Sequence, residues 1–508
     1  MANAMSFEEV TKLDDTFVMP TFKRKPVCLV EGKGMEVTDD EGKTYLDFIA
    51  GIGCDSLGHC HPAVVNAITE QAQKLIHVSN YYYIEKRGEV AKLISDMANE
   101  CVPRFFRAPW KTFFANSGAE ANECAIKLAR LWAKKESSGG HIIVVLEGSF
   151  HGRTLATLAA TAQPAKQEKF APLPEGFVAI PPNDMDALRN IWWEYPGQIA
   201  AMMVEPIQGE SGVHPIDPDY LFEATKLARR NGALFIADEV QTGFYRCGTW
   251  PFEFQNAAIT PDIITFAKGV ASGMPTGGCI ARIEVADAFE PGDHGSTFGG
   301  SNLAMAAALA TLDTLSKENF GQRVEEMGDY FAEKLLALDA VTDVRGSGLM
   351  IGADIKEEFK APFVVEAGLD AGFLLNATGD HTLRFLPPLI VTQADIDKLI
   401  EALPGIFEAS KQKEVEAAKA AQKAAEEAAA AQKEYEDLLK EAEGLNADFK
   451  DVMNMLKEKV GSVEGKLGDK LQAAAVEKLS GAQSAPSDPA SDASAEGTKN
   501  SDSAKDAE

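Results

Sequence analysis

Basic residues are in short supply in this chain: 49 lysines and arginines stand against 77 aspartates and glutamates, a formal net charge of -28 over 508 residues. Without a basic face for a phosphate backbone, a nucleic-acid role is disfavoured, and the acidic balance mainly promotes solubility. Cysteine is sparse as well. Seven cysteines, an odd set without a CxxC pair, argue against a disulfide framework and for a reducing compartment. No apolar run approaches bilayer length, and the opening segment MANAMSFEEVTKLDD lacks the basic-then-apolar pattern of a secretory signal. The expected location is the cytoplasm, with no membrane partner. What the chain has in quantity is hydrophobic residues, 45% of the total, in a length too great for one ordinary domain.

That apolar content is organised. Five short β-rich runs each end in a functional group: KTFFANSGAEAN, HIIVVLEGSFHGRT, AAMMVEPIQGE, ALFIADEVQTG and DIITFAKGVASGMP. Runs so apolar read as strands buried on both faces, and the helical stretches EANECAIKLARLWAKK and YLFEATKLARRNG lie between them. Such alternation predicts an α/β fold with a parallel sheet, whose ligands bind beyond the carboxyl ends of the strands, so the five ends should converge on one crevice. A polar residue that merely stops a strand explains any one of them, not all five. Lys268 follows the run Ile263 to Ala267, where a lysine loses part of its hydration and presents a nucleophilic amine, as an aldehyde cofactor requires. Asp238 ends another run, and an acid opposite a cationic ring nitrogen is the second half of pyridoxal phosphate chemistry. The small residues of ANSGAEAN suit a dianion at a helix N-terminus, Gly118 allowing close backbone approach; an ordinary cap at Asn116 or Ser117 is the alternative.

In this order the segments NSGAEANE, SFHGRT, EPIQGE, DEVQTG, FAKG and HGSTFGG resemble the class III pyridoxal-phosphate aminotransferases, over about residues 15 to 407, and within that class the acetylornithine branch. The resemblance implies a fold-type-I transferase with a large doubly wound, mostly parallel sheet domain and a smaller α+β domain. It implies pyridoxal 5'-phosphate attached at Lys268, whose freed amine then shuttles the substrate proton. Gly118 and Ala119 would hold the phosphate, joined by Thr297 from the neighbouring subunit, so that the active unit is a homodimer. Phe150 would stack on the ring with Val240 against its second face, Asp238 would anchor the ring nitrogen, and Gln241 would contact the phenolic oxygen. For Phe150 a plain core position is the alternative.

Substrate recognition falls to two arginines, because the planar guanidinium grips a carboxylate with two parallel hydrogen bonds; a surface ion pair is the alternative for each. The resemblance implies that Arg153 binds the α-carboxylate of an ω-amino donor and Arg384 that of 2-oxoglutarate, while Glu210 pairs with Arg384 whenever the donor is bound. Ser296 is implied as a contact to the acylated donor, and Glu205 as a weaker candidate near the cofactor. The implied reaction converts N-acetylornithine and 2-oxoglutarate into N-acetylglutamate 5-semialdehyde and glutamate, a step of arginine biosynthesis. Ornithine, succinylornithine, 4-aminobutyrate and acylated diaminopimelate are alternative donors, and a non-catalytic scaffold is the reading from another class. Phe22 stands where ornithine aminotransferases carry a tyrosine that bonds a free α-amine, which favours an acylated donor. A metal reading of Cys54, His59, Cys60 and His61 is discounted, since the spacing matches no common zinc pattern.

Domain boundaries are expected near residues 60, 305 and 407: an N-terminal segment joining the small domain, a large cofactor domain over 61–305 and a C-terminal small domain over 306–407. Beyond Phe407 the chain turns to Ala, Glu, Lys and Gln, which predicts an exposed helix or semi-rigid spacer. Apolar residues from Tyr435 to Leu471 recur three and four apart, a heptad seam interrupted by glycines and a candidate for further self-association over 435–471. From Gln483 the Ser, Ala, Pro and Asp composition predicts disorder over 483–508, leaving 408–482 as the helical extension.

Overall fold

The computed structural model describes residues 5–444, apart from 138, 318 and 319. Seven strands build its largest sheet: β1 (Trp110–Ala115), β2 (Ile142–Leu146), β3 (Phe177–Ile180), β4 (Ile199–Val204), β5 (Leu234–Asp238), β6 (Ile263–Phe266) and β7 (Gly277–Arg282). Their order is β1-β7-β6-β5-β4-β2-β3. β2 runs parallel to β3 and β4, and β5 parallel to β4 and β6, while β7 is antiparallel to both β6 and β1. The five expected strands are all present. Alternate residues point to opposite faces, so Val144, Met202, Phe235 and Ile264 enter one hydrophobic cluster, and Ile143, Met203, Ile236 and Ile263 another. Burial on both faces is why these runs lack polar alternation.

β3 and β7 are additions to the sequence reading. β7 carries Gly277 and Gly278, poor strand formers, yet a Cβ on Gly277 would lie 2.7 Å from the carbonyl oxygen of Ser117, and one on Gly278 would lie 2.5 Å from the Phe266 ring. Glycine stands there because neighbouring backbone and ring leave no room for a side chain.

Behind β1 the chain enters helix α1 (Gly118–Glu136), capped by Ser117, whose Oγ accepts from the Glu120 amide. Its buried residues Ala121, Cys124, Ala125, Leu128 and Ala129 recur at helical spacing and bury one face. Away from the large sheet, Leu29–Lys33, Glu36–Asp39 and Thr44–Asp47 form a sheet that Phe373–Leu374 joins in parallel beside Thr44–Asp47. A second small sheet holds Val341–Ser347, Met350–Ile355, Asn376–Ala377 and Thr382–Phe385.

The compact unit Met1–Glu414 ends within helix α2 (Gln393–Gly444), whose early residues Ile396, Leu399, Leu403, Ile406 and Phe407 are buried. The other unit is Val415–Glu508, and its described part is helical as far as Gly444, in keeping with the expected helical extension. The heptad seam from Tyr435 and the tail from Gln483 lie outside the described residues, save for helix backbone up to Gly444. Among the described residues no helix is long and apolar enough to cross a membrane.

Candidate active site

The carboxyl ends of β1, β2, β4, β5 and β6 open on a cavity of about 420 Å³. Lys268, Asp238, Gly118, Ala119, Phe150, Arg153, Val240, Gln241 and Glu205 all line it. Convergence of this kind follows from topology, since parallel strands deliver their C-terminal loops to one edge.

Lys268 follows β6 after a single intervening residue, Ala267, with a φ of 42°, a left-handed conformation costly for any residue with a side chain. Its amine is enclosed by protein yet opens on the cavity. Burial lowers its pKa, against the opposing pull of Glu210, and Arg384 lowers it further. A larger share of free amine at neutral pH is the consequence, which is what nucleophilic attack on an aldehyde demands.

Asp238 ends β5 and is almost completely buried. Its Oδ2 takes Asn122 Nδ2 at 2.8 Å and lies 2.7 Å from His151 Nδ1, while Oδ1 accepts from Thr265 Oγ1 at 3.2 Å and from the Val240 amide at 3.1 Å. Burial alone would depress the His151 pKa, but the bond to Asp238 and the charges of Asp238 and Glu205 outweigh it and raise the value. The Glu205 pKa rises as well, which for an acid favours the neutral form. Burial pushes its carboxyl up to about 7, although it accepts from the Phe150 amide at 2.7 Å. Asn122 and His151 were not singled out from the sequence, yet Asn122 lies four residues after Gly118, on the same face of α1, and His151 stands inside SFHGRT.

Arg384, on the strand Thr382–Phe385, is buried and held on several sides. Nη1 donates to Glu210 Oε1 at 2.5 Å, to the Gly209 carbonyl at 3.0 Å and to Gln241 Oε1 at 3.2 Å, and Nε donates to Asn376 Oδ1 at 3.0 Å. Burial would raise the Glu210 pKa, but Arg384 prevails and lowers it, so the pair is fully ionised at neutral pH. Arg153, by contrast, is exposed at the cavity mouth, its guanidinium carbon 5.4 Å from the Phe150 ring centre.

Ser296 and Thr297 stay outside the cavity within a single chain. Ser296 Oγ accepts from Asn116 Nδ2 at 3.2 Å and so touches a cavity-lining residue, and Thr297 is exposed. Phe22 is 78% exposed and is not brought to the site. The Cys54 to His61 cluster is dispersed: His59 Nε2 sits 2.8 Å from Asp47 Oδ2, Cys54 lines the cavity and Cys60 is exposed. Among the described residues no three such side chains gather to hold a metal.

A family model described as aminotransferase class III matches residues 19–407. The chain belongs to the class III aminotransferases. This aminotransferase is 45% identical over 413 residues to the acetylornithine aminotransferase of Methanocaldococcus jannaschii, covering 80% of this chain and all of the relative. A crystal structure of acetylornithine aminotransferase from Elizabethkingia anophelis matches with a TM-score of 0.68 at 31% identity, over 80% of this chain and 99% of that one. The ornithine aminotransferase of Toxoplasma gondii ME49 matches with a TM-score of 0.74 at 29% identity, over 81% and 97%.

The class depends on pyridoxal 5'-phosphate, and the cavity of this aminotransferase fits that group. Gly118 opens α1 with bare backbone, and a Cβ there would lie 2.7 Å from Val240 Cγ1. Thr276 lines the cavity with a buried hydroxyl that has no partner in the chain. A desolvated amine, a fixed carboxylate and a helix N-terminus are the three anchors that a phosphorylated pyridine aldehyde needs.

Proposed function

We propose that this aminotransferase moves the terminal amino group of N-acetylornithine to 2-oxoglutarate, giving N-acetylglutamate 5-semialdehyde and glutamate, as a cytoplasmic homodimer. The observation that carries the reading is the ionised Glu210–Arg384 pair beside Gln241, one bond away from the cavity wall. A pocket that serves a monocarboxylate donor and a dicarboxylate acceptor in turn needs a cation that can be neutralised for one and released for the other. Acetylornithine aminotransferases at 41–45% identity support the donor assignment.

Each residue then has a task. Lys268 would hold the cofactor through its amine, and the freed amine would carry the substrate proton. Gly118 and Ala119 present backbone amides to the phosphate. Asp238, kept in place by Asn122, His151 and Thr265, balances a protonated ring nitrogen, with Gln241 at the phenolic oxygen and Phe150 and Val240 against the ring. When bound, the cofactor supplies a cationic ring that accepts the electron pair of the breaking C–H bond. Arg153 takes the donor α-carboxylate at the mouth; Arg384, freed from Glu210, takes that of 2-oxoglutarate. Thr297 and Ser296, outside the cavity of their own chain, act in the site of the second subunit, and exposed aromatics such as Phe298 and Tyr81 suit that interface. Domain limits near 60, 305 and 407 belong to the same reading, supported by the pairing of Phe373–Leu374 with Thr44–Asp47.

The test is a steady-state panel of N-acetylornithine, N-succinylornithine, ornithine and 4-aminobutyrate with 2-oxoglutarate, and Lys268→Ala as the inactive control. The expected result is the highest kcat/KM for N-acetylornithine. A higher value for ornithine or 4-aminobutyrate, or undiminished turnover by Lys268→Ala, overturns the assignment.

A further inference from the structure

Two cations share the Phe150 ring: Arg153, which lines the cavity and has a task, and Lys166, which reaches the same ring without lining the cavity itself. Lys166, on the short helix Pro164–Gln167, places Nζ 5.9 Å from the centre of the Phe150 ring, the same ring that Arg153 approaches at 5.4 Å. Its side chain is half-buried, and its ammonium hydrogen-bonds the Gln163 amide oxygen. Gln163 is itself tied down, donating to the carbonyls of Gly148 and Ser149 at 3.0 and 3.1 Å, so the short helix is fixed against the loop that carries Phe150. Among the described residues, neither Lys166 nor Arg153 forms an ion pair. Burial and the charge of Arg153 both bear on Lys166, and the one carboxylate that pulls the other way, Glu210, is already engaged by Arg384.

We propose that Lys166 is a specificity-determining residue that, with Arg153, makes the cavity mouth select donors with a carboxylate and no neighbouring ammonium, and so excludes free ω-diamino acids. The inference rests on the proposed reading of Arg153 as the carboxylate clamp. Its physical basis is charge. An N-acylated donor presents a carboxylate beside a neutral amide, which both cations attract. Free ornithine presents the same carboxylate with a cationic α-ammonium one carbon away, so the attraction and the repulsion at Lys166 largely cancel. Phe22 offers no such discrimination within the chain, being exposed and away from the cavity. The chemistry assigned is therefore a neutral α-substituent, an acylated nitrogen or none at all.

The experiment follows the donor half-reaction of the holoenzyme by single-turnover absorbance, with N-acetylornithine, 5-aminopentanoate and ornithine. In Lys166→Gln the specificity constants for N-acetylornithine and 5-aminopentanoate should both fall about tenfold, while that for ornithine changes by less than about twofold. Lys166→Arg, which keeps the charge, should retain the discrimination of the parent. Rising salt should erode the preference more steeply in the parent than in Lys166→Gln, which keeps only Arg153. Equal losses for all three donors, or no loss for any, overturn the proposal. Failure of the parent to use any of these donors would instead overturn the proposed function, a distinct result.

Discussion

Arg153 and Arg384 present the same planar fork in opposite surroundings, and the contrast makes a prediction at the scale of single residues. Arg384 is buried and bonded to Glu210, Gly209, Gln241 and Asn376, whereas Arg153 is exposed, its guanidinium beside the Phe150 ring. Lysine in place of Arg384 keeps the charge but loses the bidentate grip, so the 2-oxoglutarate half-reaction should slow on the order of a hundredfold while the donor half-reaction stays close to the parent. Arg153→Lys should weaken both halves, because each substrate places a carboxylate at the mouth. Single-turnover rates of the two halves check this, and equal defects in Arg384→Lys refute the gate. Both arginines were picked out from the sequence because each lies in a short motif, FHGRT and HTLRFLPP. Asn122, His151 and Asn376 were not, since an asparagine on a helix or strand reads as ordinary polar surface until the fold brings it against a carboxylate or guanidinium.

At the scale of elements, the end of β5 is fastened to the turn Glu253–Ala257 by the residue after Asp238. Glu239 is fully buried, accepts from the amides of Glu253 and Phe254 at 3.1 and 2.8 Å and bonds the Thr242 hydroxyl. Burial pushes its carboxyl up to about 7 from an ordinary 4.5. Between those pH values the folded chain keeps a proton that the unfolded chain releases, so this group's contribution to stability declines as pH rises through the window. Glu239→Gln keeps an acceptor for the amides and removes the titration. Relative to the parent, the variant should therefore gain stability from pH 5 to pH 8, on the order of 2 kcal/mol, measured by urea unfolding at both values. A constant difference across pH would contradict it. β2, β4, β5 and β6, buried along their whole length, were readable as short apolar runs, because burial on both faces leaves no polar alternation. β7 was not, as its two glycines record contacts with Ser117 and Phe266 rather than any local preference.

For the whole molecule, the catalytic body and the acidic extension separate at Glu414. Lys411 and Lys413 still make ion pairs within that body, to Glu358 and Asp370, and Ser410 is buried. Truncation after Glu414 should accordingly leave activity and thermal stability near those of the full chain, whereas truncation after Phe407 should lower the melting temperature, by about 1 °C for each kcal/mol lost in a body of this size. Differential scanning calorimetry with a coupled activity assay decides between them, and a large loss on truncation after Glu414 would show that the extension is integral to the enzyme. The composition changes after Phe407, upstream of the division at Glu414, since a helix without large apolar side chains has little to bury.

β7 also sets a condition on how the protein is made. It pairs with β6, its near neighbour in the chain, on one side and with β1, far earlier in the chain, on the other, and the cavity wall at Gly118 and Lys268 exists only once both ladders have closed. Strands as distant as β1 and β7 meet late, because loop closure must come before any reward from pairing. A nascent or refolding chain therefore has no partial version of the site, and cofactor capture becomes a report on completed folding. By mass action the captured cofactor then holds both ladders shut, so cells short of it should contain less of this protein in its folded form.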